Sequence, residues 1–174
     1  MSNQILIYKS KKKAAIITFA GLLVALAGWL FLQYTDNEIA GWCFLIFAFM
    51  YILFGIGTWL DRKPQIVLTA TGITDMTGNQ QEIEWYAIRQ VDDFFYIGQY
   101  FMRILIDRGY KPYLTQPTWL YRFDRIYARE GVKAIFIRTS LLDISSSKLY
   151  RLVNVLMKAD EEERNKLINN YTIK

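Results

Sequence analysis

Histidine does not occur in the 174 residues, and cysteine occurs once, as Cys43. The first absence removes the commonest general base, proton shuttle and metal ligand. The second excludes an internal disulfide and a zinc site built on thiolates. Cys43 sits inside an apolar run and reads as a small apolar residue. No G-x-S-x-G elbow, phosphate-binding glycine loop or zinc signature is present. An enzyme is therefore the least favoured class, and the reading carries no catalytic residue, no metal and no cofactor.

Charge is missing from two long stretches. Residues 14–33 (AAIITFAGLLVALAGWLFLQ) and 39–60 (IAGWCFLIFAFMYILFGIGTWL) contain no ionisable acid or base apart from the Cys43 thiol and the Tyr51 phenol. A helix rises 1.5 Å per residue, so each run covers about 30 Å, the thickness of a bilayer's hydrocarbon core. The first run is longer than the apolar stretch of a signal peptide, and a second span follows at once, so a transmembrane hairpin is expected. Lys9, Lys11, Lys12 and Lys13 precede it and Arg62 and Lys63 follow it, while the connection between the spans carries only Asp36 and Glu38. Basic flanks stay inside. The expectation is a two-pass membrane protein with both termini cytosolic: a basic N-terminus (1–13), the two spans (14–60) and a cytosolic domain (61–174). Trp29, Tyr34, Trp42 and Trp59 fall near the span ends, where amphipathic rings favour the headgroup region. Gly21, Ala25 and Gly28 offer a small-residue face for close helix packing. With no ionisable group to serve as an ion relay in either span, a channel or transporter is disfavoured.

The net charge of +5 suits an anionic leaflet but is too mild for nucleic acid. After Pro64 the sequence changes character. Residues 65–71, 73–77, 81–86, 88–97, 100–107 and 132–138 show the alternation and β-branched content of strands. Gly78–Asn79 and Gly98–Gln99 mark turns, and Pro112 confines 110–115 to an edge strand. Residues 117–130 read as a helix between Pro117 and Gly131. Residues 145–158 read as an amphipathic helix capped by Ser145 or Ser146, with Leu149, Leu152, Val153, Leu156 and Met157 as its stripe. A more polar helix at 161–170 reads as a solvated tail. The fold class is thus an α+β membrane protein: an N-terminal transmembrane hairpin, then a bent antiparallel sheet with a C-terminal capping helix, the arrangement of pleckstrin-homology-like (PH-like) domains.

Several segments carry a family resemblance: Ile7 to Lys13 before the first span, Pro64 to Thr69, Gly72 to Asp75, Ile83-Glu84-Trp85 with Ile88, and Leu142 to Ser145 leading into the amphipathic helix. With these the chain resembles uncharacterised small bacterial inner-membrane proteins that join a two-helix anchor to a PH-like domain. The resemblance implies no catalytic residues. Related arrangements occur among immunity proteins that neutralise antibacterial toxins, which makes a toxin one candidate partner.

Two candidate binding surfaces follow. Arg122, Arg125 and Arg129 share one face of the expected 117–130 helix, with Trp119 and Tyr121 beside them, a pattern suited to an anionic bilayer or an acidic partner. The aromatic run around Phe95 and Tyr96, with Phe94, Tyr100 and Phe101, places rings on both faces of a hairpin, and exposed aromatic patches mark interfaces. The acid pairs Glu82/Glu84 and Asp92/Asp93 converge with no other ligand; the first alternates on the solvated side of a half-buried strand, and the second sends adjacent side chains to opposite faces. The expected partners are the lipid bilayer and a protein, with a homo-oligomer left open. The functional expectation is a non-enzymatic membrane-anchored module that binds a protein, the alternative being a lipid-surface or membrane-homeostasis component.

Overall fold

The computed structural model describes residues 4–35, 37–77, 81–107, 109–110 and 131–171. The chain divides into two compact units, residues 1–8 with 64–174 and residues 9–63.

The second unit is a pair of helices, α1 (Lys11–Tyr34) and α2 (Glu38–Leu60). Ser10 caps α1 by accepting from the Lys13 amide at 3.3 Å, and Asn37 caps α2 by accepting from the Ala40 amide at 3.2 Å. Both helices are long and apolar enough to cross a membrane. Ile16, Phe19, Leu22, Leu23, Leu26, Phe47, Phe49 and Phe54 all stand exposed. A core helix of a water-soluble protein would bury such side chains, so these surfaces match a hydrocarbon solvent better than water.

What the pair buries is small. The buried residues are Ala14, Gly21 and Gly28 on α1 and Gly41, Ala48, Gly55 and Thr58 on α2, the alanines and glycines of each set spaced by seven residues. A Cβ on Gly28 would lie 2.9 Å from the Phe44 Cβ and 3.1 Å from the Gly41 carbonyl oxygen. Backbones approach closely where side chains are absent. The expected small face held Ala25 in place of Ala14; Ala25 is only half-buried. At the open end of the pair Lys9 Nζ meets Asp61 Oδ2 at 2.7 Å. Lys9 is therefore an ion-pair partner as well as part of the basic flank, and it holds the Asp61 carboxyl below its usual value.

Among the described residues the other unit holds seven strands in two antiparallel sheets. One sheet has the order β1 (Ile5–Ile7), β2 (Ile66–Leu68), β3 (Gly72–Asp75), β4 (Glu82–Glu84). A 3₁₀ turn, Trp85–Ala87, leads to the second sheet, β5 (Ile88–Tyr96), β6 (Gln99–Asp107) and β7 (Val132–Arg138). Then come α3 (Ser146–Lys158), capped by Ser145, and α4 (Glu161–Asn170), capped by Asp160.

The strand nearest the N-terminus is the unexpected element. Residues 1–13 read as a basic flank, yet Ile5 and Ile7 are buried core residues, in register with Leu68 and Ile66. The two long helices are thus an insertion between the first two strands of a sheet. Leu68, Ile73, Ile83, Met102, Ile104, Ile106 and Ile137 continue the same core, and α3 adds Leu149, Val153 and Leu156. Trp85 anchors it: its ring is 2% exposed and its indole N–H donates to the Thr69 carbonyl at 3.0 Å. Gly72 is required here, because a Cβ would run into the Ile83 carbonyl of β4.

The polar tail helix is a correction. Ile168 of α4 is buried in the core and Leu167 packs against it. Arg164 donates to the Leu156 carbonyl at 2.7 Å and lies 5.9 Å from the Trp85 ring centroid. One buried isoleucine and one arginine dock a helix whose overall polarity suggests solvation. The expected turn at Gly78–Asn79, the edge strand over 110–115 beyond Tyr110, and the helix over 117–130 lie outside the described residues, as does Asp36.

Candidate contact surface at the end of the β5–β6 hairpin

β5 and β6 are nine residues each and pair in antiparallel register from Ile88↔Ile106 to Tyr96↔Gln99, with a bulge between Ile88 and Gln90. Strand alternation sends successive side chains to opposite faces. On one face Val91, Met102, Ile104 and Ile106 enter the main core. On the other, Phe101 and Leu105 join Ala134 and Phe136 in a second apolar cluster, against which Phe94 and Tyr96 pack. Phe94 and Tyr96 are stacked at 6.0 Å, and Phe94 is tilted against Phe136 at 5.5 Å. Asp92 and Arg103 face each other across this side at 2.5 Å, with side chains about three-quarters buried, and Gln90 donates to the same carboxylate. The pair is a cross-strand ion pair.

The aromatic run therefore divides. Tyr96 belongs to the second cluster, whereas Phe95 is 59% exposed and its cross-strand partner Tyr100 is 49% exposed, their ring centroids 4.9 Å apart. Between the strands stand Ile97 and Gly98, with φ of 46° and 71°. Two successive positive φ angles make this the primed turn that matches the twist of a hairpin, in which Asn-Gly is the favoured pair. Ile97 occupies the Asn position, in a backbone region that β-branched residues rarely enter, and is 78% exposed. The turn is one residue earlier than Gly98–Gln99, because the strands pair to Tyr96↔Gln99. A cleft of about 300 Å³ is lined by Tyr96, Ile97, Gln99 and Phe101. No charge occurs from Phe94 to Met102.

A second concavity, about 460 Å³, opens at the other end of β5, lined by Ala70, Thr71, Glu82, Glu84, Tyr86, Glu161 and Arg164. Glu82 accepts from the Thr69 and Thr71 hydroxyls at 2.5 and 2.6 Å. The Glu84 side chain bonds the Tyr86 hydroxyl and raises its pKa. Tyr86 is 77% exposed and meets Tyr110 edge-on at 6.0 Å. Neither Tyr86 nor Ile97 stands out in the sequence as a surface residue, although the break in alternation at Ile97-Gly98 is a signal for the latter.

Among the described residues no three His, Cys, Asp or Glu side chains are grouped to hold a metal ion. The basic face of Arg122, Arg125 and Arg129, with Trp119 and Tyr121, lies outside the described residues. Of the basic flank, Lys11, Lys12, Arg62 and Lys63 are exposed. The chain has no significant match among protein-family models, curated proteins or solved structures.

Proposed function

We propose that this is a two-pass membrane protein that holds a PH-like domain at the cytosolic surface and acts by contact through the end of the β5–β6 hairpin, without catalysis. The observation that carries the reading is the uncharged, exposed hairpin end formed by Phe95, Ile97 and Tyr100. Folded domains rarely spend large apolar side chains on a protruding turn without a use for them. The four-plus-three antiparallel strands followed by a capping helix support the PH-like reading.

The sheet also supports the topology. β1 precedes the two helices and β2 follows them, yet the two strands pair. Two crossings return the chain to the side from which it left, as that pairing requires. The lysines and arginine of the flanks then favour the cytosolic side. A thiol introduced at Lys148 in a Cys43→Ser background should react with a membrane-permeant reagent only; reaction with an impermeant reagent in intact cells contradicts the orientation.

The contact reading is tested by placing a photoreactive phenylalanine analogue at Phe95 and, separately, at Val155, which is 51% exposed on α3. Adducts at 95 and none at 155 support it. A chain that folds and inserts but forms no adduct at 95, to protein or to lipid, overturns it.

A further inference from the structure

Resting on that contact reading, we infer that the occupant is the lipid–water interface: the turn Tyr96–Gln99, with Phe95 and Tyr100, seats in the headgroup region of the membrane the helices cross. Three observations point there.

The first is size. Phe95, Ile97 and Tyr100 expose on the order of 100 Å² each. Together they offer about 300–400 Å², well short of the roughly 800 Å² that each partner contributes to a standard protein interface. Among the described residues the hairpin exposes no other large apolar side chain. For shallow entry into a bilayer the same area suffices, since a tethered domain needs only weak affinity.

The second is chemistry. Within nine consecutive uncharged residues the hairpin end exposes Phe95, Ile97 and Tyr100. Aromatic rings with a polar tip favour the headgroup boundary, and the absence of charge removes the cost of taking an ion there.

The third is location within the domain. The chain leaves the domain for α1 after Tyr8, whose carbonyl accepts from the Asp143 amide at 3.0 Å. Four residues before Asp143, the Thr139 amide donates to the Tyr100 carbonyl at 2.9 Å, and the Tyr100 amide donates to the Ser140 hydroxyl at 2.8 Å. One segment, Thr139–Asp143, thus bonds both the base of the tip and Tyr8, the last residue of the domain before the chain continues to α1. Fully extended it would reach only about 15 Å. Tyr86 lies at the far end of β5, nine residues or about 30 Å away.

Ile97 gives the inference its sharpest consequence. Asn at this position relieves the backbone and removes the apolar side chain together. The turn is kept apolar against the local conformational preference, as expected where the side chain serves an external contact.

The test uses the full-length chain with Cys43→Ser, reconstituted in phosphatidylcholine vesicles. An environment-sensitive dye is attached to Ile97→Cys or, as a control, to Tyr86→Cys. Lipids brominated near the headgroup should quench the dye at 97 severalfold more than at 86. With the dye on Phe95→Cys, adding Ile97→Asn should cut the quenching severalfold while the thermal midpoint holds or rises. Equal quenching at 86 and 97, no quenching at 97, or quenching at 95 that ignores Ile97→Asn each overturns the lipid assignment. Protein adducts from the photoreactive residue at 95 alongside an unquenched tip leave the contact reading standing with a protein occupant. Neither adducts nor quenching ends both.

Discussion

Replacing Ile7 by alanine tests the insertion of the helical pair into the sheet. Ile7 is fully buried and in register with Ile66. The substitution removes three carbon groups, about 2.4 kcal/mol at roughly 0.8 kcal/mol per buried group. The residual cavity adds about 1 kcal/mol more, because a sheet held by paired backbones collapses poorly onto a void. A loss of about 3–4 kcal/mol is expected. Leu6 lies on the opposite side of the same strand and is half-buried, so Leu6→Ala should cost under about 1.5 kcal/mol. The assay is denaturant unfolding of the detergent-solubilised full chain, with hydrogen exchange at Val67 and Leu68 reporting the β1–β2 ladder. At roughly 4 °C per kcal/mol, the thermal midpoint should fall by about 12–16 °C. If Ile7→Ala costs no more than Leu6→Ala and exchange at Leu68 is unchanged, β1 is not part of the sheet. The argument that the two ends of the helical pair share one side of the membrane then fails with it.

Three further outcomes follow from packing and charge. Gly55→Ala places a Cβ 2.9 Å from the Thr18 backbone nitrogen, whereas nothing lies within 4 Å of a Cβ at Gly57. Gly55→Ala should weaken the helix pair by about 1–3 kcal/mol and Gly57→Ala should be neutral or stabilising, measured by unfolding in micelles; equal effects would remove the close approach. Trp85→Phe deletes the bond to the Thr69 carbonyl inside the core and should cost about 1–3 kcal/mol of domain stability by the same denaturation assay. The hydrogen bond from Lys9 depresses the Asp61 pKa below 3.8 in the folded state. Its contribution is therefore complete above about pH 4 and is lost as pH falls through the lower folded value. Lys9→Met should reduce that acid-limb dependence, leaving the part due to the Lys63 amide, which donates to Asp61 at 3.1 Å; it is read from unfolding midpoints between about pH 2 and 5, and an unchanged limb would assign it to other carboxylates.

The two long apolar helices, the long hairpin and α3 are legible from sequence because each is a local pattern. An uninterrupted apolar length marks each long helix, so 14–33 and 39–60 anticipate Lys11–Tyr34 and Glu38–Leu60 within a few residues. Alternation over 88–107 and a capped apolar stripe at 145–158 declare β5, β6 and α3 in the same way. Tertiary structure alone decided the rest. Ile5-Leu6-Ile7 is too short to signal a strand, and its partner lies beyond both long helices, so only the folded sheet assigns it. The division of Phe94, Phe95, Tyr96 and Tyr100 between a second apolar cluster and solvent depends on a register that one residue of slip would invert. The seven-residue repeat of small side chains and the burial of Ile168 likewise depend on what packs opposite, and composition carries no record of a neighbour.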